Sequence, residues 1–186
     1  MKKCVIIVDN SNVWIEGKKF SAKQNGGCIG VGEKYADDPS WRIDFGKLLT
    51  VVAEGKEISH AILVGSRPPK NDSLWSAAEK MGYKVIVHDR NSVGKEKAVD
   101  TEIVIQGTII ICKQEPAVLK LVSGDSDFKP LISLANDNGW ETEMWAFRNA
   151  FKRDGELAKS VSRIQVLDNV FSEIGHNEFV WPVKST

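Results

Sequence analysis

The chain predicts an α/β fold of three layers, with a mainly parallel central sheet between two layers of helices. Three observations predict it. Short apolar runs rich in β-branched residues alternate with longer stretches of helical periodicity nearly throughout, the pattern of strands joined by crossover helices. Two of those runs, residues 4–8 and 119–122, read as strands buried on both faces, as in a parallel sheet covered by helices. A length of 186 residues with 42% hydrophobic and 27% charged composition suits one globular domain over 1–186. Its core spans 4–167 and its tail 168–186, and no repeat or low-complexity tract divides them.

The elements follow in order. Residues 5–8 are β-branched and stop at Asp9-Asn10, which reads as strand one. A short helix is expected over 12–20, capped by Ser11 or Asn12. Gly26, Gly27, Gly30, Gly32 and Pro39 mark 21–40 as a long loop. Ser40 or Asp44 opens a helix to about residue 54, with Leu48, Leu49, Val51 and Val52 on its apolar side. Strand two covers 60–64 and ends at Gly65-Ser66-Arg67-Pro68-Pro69. A helix over 72–81 is stopped by Gly82, and strand three covers 84–87. A polar loop over 89–96 leads to a helix over 97–112, whose β-branched residues make it dependent on tertiary packing. Strand four covers 118–122. A helix over 127–138 is stopped by Gly139, strand five covers 141–146, a helix 149–159 and a sixth strand 163–167.

Composition narrows the function. Formal net charge is zero, with 25 basic and 25 acidic residues, so a nucleic-acid partner needs a local basic patch. Cys4, Cys28 and Cys112 are far apart and form no Cys-x-x-Cys pair, which disfavours structural zinc. Cys4 and Cys112 lie in apolar runs and read as buried thiols of a reducing compartment. The apolar run after Met1-Lys2-Lys3 is too short for a signal peptide or membrane span, so a cytoplasmic protein is expected. His60, His88 and His176 have no ligand spacing and read as structural or surface residues.

Two strands end on acidic turns: Val8-Asp9-Asn10-Ser11-Asn12 and Val122-Ser123-Gly124-Asp125-Ser126-Asp127. In an open α/β sheet, sites form beyond the carboxyl ends of strands where strand order reverses. An order such as 3-2-1-4-5 makes strands one and four neighbours there, and Asp9 meets Asp125. Like charges brought together raise each other's pKa, and a divalent cation held by oxygen ligands relieves them. Each Asp also has a plainer reading as a helix cap or turn former, with Asp9 and Asp127 each evenly balanced between the two. Asn10 and Asn12 stand beside the first carboxylate. Lys95-Glu96-Lys97-Ala98-Val99-Asp100 opens the long helix, whose start can reach the same cleft. Asp100 suits a first helical turn in any case, while Lys95, Lys97 and free N–H groups there can hold a phosphate. Arg42 and Arg67, with Lys18, Lys19, Lys70 and Arg90, lie near strand ends or loops on the site side and can track a phosphate backbone. Trp14 and Trp41 flank the cleft, where bases can stack, although packing is the better-supported role for each.

Val-Asp-Asn-Ser-Asn near the N-terminus, Lys-x-Val-Asp at a helix start and Ser-Gly-Asp-Ser-Asp-Phe after a later strand together resemble an NYN domain of the LabA-like branch of the PIN-like nuclease superfamily. The resemblance covers about residues 4–150. It implies a metal-dependent ribonuclease fold with strand order 3-2-1-4-5. It places the acidic site on Asp9, Asp100, Asp125 and Asp127, with Asn12 and Ser123 supporting and Lys97 beside them. This chain has Ala98 where the family often has Gly, and Gln106-Gly107-Thr108 where many members carry a further Asp, which bears on how many metals are held.

The expected function is hydrolysis of RNA phosphodiester bonds, with Asp9, Asp100 and Asp125 binding Mg²⁺ or Mn²⁺ and Asp127 orienting water. The expected partner is single-stranded RNA, with no membrane, and the apolar tail Phe179-Val180-Trp181-Pro182 suggests a homodimer. Two alternatives stay open: a catalytically weak or inactive RNA- or protein-binding module of the same fold, and a hydrolase of mononucleotides or phosphate esters.

Overall fold

The computed structural model describes residues 2–24, 37–67, 73–89 and 98–179. The six expected strands are β1 (Lys3–Asp9), β3 (Glu57–Arg67), β4 (Lys84–Asp89), β5 (Val118–Val122), β6 (Glu141–Ala146) and β7 (Arg163–Val166). They form one sheet in the order β4-β3-β1-β5-β6-β7, and every neighbouring pair is parallel. In the sequence-derived numbering this is 3-2-1-4-5 plus the sixth strand. From β1 the chain builds outward through β3 and β4, then returns to pair β5 against the other side of β1. Strand order therefore reverses between β1 and β5, where Val8 lies beside Val122.

Helices cover both faces. Those on one face are α1 (Asn10–Gln24), α2 (Phe45–Ala53), α3 (Ser73–Lys80) and the short α7 (Phe171–Ile174), packed on Cys4, Ile6, Val8, Val118 and Val122. On the other are α4 (Val99–Lys113), α5 (Lys129–Asp137) and α6 (Glu156–Ser160), packed on Val5, Ile7, Leu119 and Leu121. The alternation along β1 thus feeds two separate cores, which is why its central residues are apolar without a break. Gly82 and Gly139 end α3 and α5 with φ of 99° and 77°, a region costly for other residues.

Several expectations are corrected. Asp44, not Ser40, caps α2, by accepting a hydrogen bond from the Lys47 N–H. Residues 41–43 instead form β2 (Trp41–Ile43), antiparallel to β8 (Gly175–Asn177) in a separate ribbon. That ribbon is fastened to α1 by the buried Asp38 carboxylate, which accepts from the hydroxyls of Ser21 (2.7 Å) and Ser40 (2.6 Å) and from the Asn177 amide (2.8 Å). The expected helix over 149–159 is a 3₁₀ turn at 148–150 followed, after a break, by α6. Cys112 is exposed, since the buried side of α4 is set by Ile103, Gly107, Ile110 and Ile111. Cys4 is buried, and both are free thiols. Among the described residues no helix is long and apolar enough to cross a membrane. The glycine-rich loop, Cys28 and the tail beyond Phe179 lie outside the described residues.

Candidate functional site

Asp9 is the last residue of β1, level with Val64 of β3, and only 4% exposed. A strand end is a rigid mount, and the chain turns directly into α1. Asp9 Oδ1 accepts from the Asn12 N–H at 3.1 Å, so this carboxylate is itself the cap of α1. Oδ2 accepts from the Ser123 hydroxyl at 3.1 Å, across the β1–β5 junction. Ser123 Oγ in turn accepts from the Asp125 N–H at 3.2 Å, and the Asn12 side-chain carbonyl accepts from the Gly124 N–H at 3.3 Å. The two acidic strand ends are therefore tied into one network by Asn12 and Ser123. Gly124 is needed there for close approach: a Cβ on it would lie 2.7 Å from the Ala150 carbonyl oxygen.

Burial pushes the Asp9 carboxyl up to about 6, against the pull of the Asn12 and Ser123 hydrogen bonds, and the fields of Asp100 and Asp125 push it further up. Carboxylates from two other elements thus act on Asp9. They are not drawn into a closed ligand set: among the described residues no group of three or more His, Cys, Asp or Glu side chains is arranged to hold a metal. Asp100 is half-buried in the first turn of α4. Asp125 caps the 3₁₀ turn Ser126–Phe128 by accepting from the Asp127 N–H at 2.9 Å, so the capping role considered for Asp127 falls to Asp125. Asp127 is exposed in that turn. Asn10 opens α1 and is buried against Gly65 at the end of β3.

The expected basic and aromatic contacts divide. Arg42 lies in β2, ion-paired with Glu178 at 2.8 Å and donating to the Pro39 carbonyl, so its charge is already engaged. Arg67 ends β3, but its side chain, like Lys95 and Lys97, lies outside what is described. Trp41 is fully buried and stacks on Phe171 at 5.5 Å, a core residue. Trp14 is 39% exposed, with the Lys18 ammonium 3.9 Å from its ring centroid.

Sequence reasoning overlooked the facing wall. A cleft of about 450 Å³ opens between the Asn12–Gly124–Asp125 corner and residues 149–158, with Asn149, Phe151, Lys152 and Glu156 on its far side. The rule that sites lie beyond strand carboxyl ends applies to β6 as well as to β1 and β5, and would have pointed to this segment.

Known proteins agree with the architecture. A protein of unknown function from Vibrio parahaemolyticus has a solved structure that superposes with a TM-score of 0.68 at 15% identity, covering 94% of this chain and 96% of that one. The likeness is one of fold. No curated protein matches the chain. The family model for the NYN domain matches residues 10–168, from the first turn of α1 to just past β7. This chain belongs to the NYN domain family.

Proposed function

We propose that this protein hydrolyses phosphodiester bonds in single-stranded RNA with the aid of Mg²⁺ or Mn²⁺. The observation that carries the reading is the Asp9 carboxylate: buried at the end of a central strand, raised to about 6, and within the fields of Asp100 and Asp125. The donor set fits a hard cation, because it offers the carboxylate oxygens of Asp9, Asp100 and Asp125, the Ser123 hydroxyl and the Asn12 amide, without thiolate or imidazole. Asp9, Asp100 and Asp125 would hold the ion. Once bound, such an ion lowers the pKa of a water nucleophile and stabilises charge on phosphoryl oxygens. Ser123 and the Asn12 N–H fix the Asp9 carboxylate so that little reorganisation is needed. Asp127 orients water at the rim, Asn10 supports the turn, and Lys97, Lys95 and Arg67 meet the RNA backbone, whereas Arg42 is left to its pair with Glu178. The setting is cytoplasmic and reducing, and the Phe179–Pro182 tail supports a homodimer.

The test is cleavage of a labelled single-stranded RNA by purified protein in Mn²⁺. Asp9→Asn and Asp125→Asn abolish cleavage while circular dichroism and melting show an intact fold. Calorimetry shows Mn²⁺ binding to the wild type and not to Asp9→Asn. Wild-type cleavage by both variants would sink the assignment. The second reading, a module that grips RNA without cutting it, draws on Asp9 and Asp125 both serving as caps. It predicts RNA binding by the wild type with no product at any Mn²⁺ concentration.

A further inference from the structure

We propose that Lys152 is a substrate-positioning residue, whose ammonium takes the backbone phosphate of the nucleotide lying next to the one at the acidic strand ends. The proposal rests on the reading of the site as an RNA site. The cleft of about 450 Å³ shares Asn12, Gly124 and Asp125 with the Asp9 network, so a strand that reaches Asp9 lies along it. Its volume falls in the range of single-ligand sites, roughly 300–1,000 Å³, which suits one nucleotide of a single strand and not a duplex.

Charge identifies the contact. Among the described residues lining the cleft Lys152 is the single cation, it is exposed, and no described carboxylate pairs with it. Other cations of the region do not line the cleft: Lys129 pairs with Glu156 at 2.6 Å, the Arg148 guanidinium lies 5.1 Å from the Phe151 ring centroid, and Arg148 and Arg153 are both absent from the lining. On the opposite rim the Asn12 carbonyl is occupied by the Gly124 N–H, whereas its NH₂ group has no partner among the described residues. The cleft lining thus includes an ammonium and an amide donor, the chemistry that receives a phosphodiester, beside the Asp125 carboxylate and a Glu156 carboxylate already paired with Lys129.

The wall that carries Lys152 is fixed. The Lys152 carbonyl accepts from the Gly155 N–H at 3.0 Å, the Phe147 carbonyl accepts from the Ala150 N–H at 2.9 Å, and the Arg148 N–H donates to Asp168 at 2.7 Å. Gly124 packs directly against Ala150, where a Cβ would lie 2.7 Å from the Ala150 carbonyl oxygen, so the wall and the acidic turn are in contact. The fixed backbone confines the ordering cost of the contact to the Lys152 side chain itself.

Lys152→Ala, Lys152→Glu and Lys152→Arg test this. Binding of a fluorescent single-stranded RNA is followed by anisotropy against salt in an Asp9→Asn background, and KM and kcat are measured in the otherwise wild-type protein. Lys152→Ala weakens binding and raises KM about three- to tenfold, with kcat little changed, and lowers the slope of log affinity against log salt by about 0.7, one phosphate of a single strand. Lys152→Glu weakens binding further, Lys152→Arg restores it, and all three melt like the parent. Unchanged affinity and slope in both the Ala and Glu variants, beside a wild type that cleaves RNA, overturn the proposal and leave the ribonuclease reading intact. A wild type that binds with this Lys152-dependent slope but never cleaves does the reverse. A wild type that does not bind RNA overturns the proposal outright.

Discussion

Ser123 is the residue on which the geometry of the acidic corner turns. Its hydroxyl donates to Asp9 and its oxygen accepts from the Asp125 N–H, so one small side chain joins both acidic strand ends. Ser123→Ala removes a bond that favours the Asp9 carboxylate and leaves Asp9 Oδ2 and the Asp125 N–H without that partner. The Asp9 pKa then rises above its value of about 6, as carboxyl chemical shifts followed by NMR titration would show. Stability falls by about 1–3 kcal/mol, the cost of unmade buried hydrogen bonds, measured by urea unfolding. An unchanged Asp9 titration would remove Ser123 from the site. Asp9, Asp125 and their neighbours stood out in the sequence because each ends an apolar run in a dense set of short polar side chains. Which of them would act as caps was not legible, since capping depends on a single N–H lying within reach. Lys152 was hidden for another reason: an exposed Lys in a polar segment looks like any other until the fold sets it across a cleft from Asp125.

At the scale of elements, β5 holds a lysine where the pattern called for a core residue. Lys120 is fully buried, paired with Glu54 at the C-terminus of α2 (2.6 Å) and with Glu143 on the next strand (2.9 Å). Arg163 of β7 also pairs with both glutamates. With Lys56, which lies 3.5 Å from Glu54, the cluster has three cations and two anions, and it ties β5, β6, β7 and α2 together. Lys120→Met leaves Glu143 with Arg163 and Glu54 with Arg163 and Lys56, and destabilises the fold by about 3 kcal/mol, toward the lower end for a broken buried pair because those cations remain. Lys120→Met with Glu143→Gln regains part of that loss. Urea midpoints check both, and a double variant less stable than the sum of its single changes would contradict the pairing. Strands and helices with long periodic runs were legible because local pattern and tertiary burial agree in them. Lys120 was not, since Glu54 lies 66 residues away in the chain. Nor was the β2–β8 ribbon, whose strands have three residues each and are defined by pairing across the chain and by Asp38.

Over the whole molecule, these two clusters bend the pH dependence of stability in opposite directions. Hydrogen bonds and charge from Lys120 and Arg163 outweigh desolvation and hold Glu54 and Glu143 below the ordinary carboxyl value of 4.5. Their contribution is complete above 4.5 and is lost as pH falls through their lower folded values. Asp9 behaves the other way, because its folded value of about 6 exceeds its ordinary 3.8. Between those values the folded state binds more protons than the unfolded one, so stability falls as pH rises. The penalty is absent well below 3.8 and complete above about 6, where it amounts to about 3 kcal/mol. In metal-free buffer the wild type is therefore more stable near pH 5 than near pH 7. Asp9→Asn, which cannot ionise, lacks that decline. The difference in unfolding free energy between the two proteins, followed by urea denaturation with a chelator present, shifts by up to about 3 kcal/mol in favour of the variant from about pH 4 to about pH 7. A difference that stays flat across this range would mean that Asp9 is not held in a field that resists its charge, and that a cation beside it has no such field to relieve.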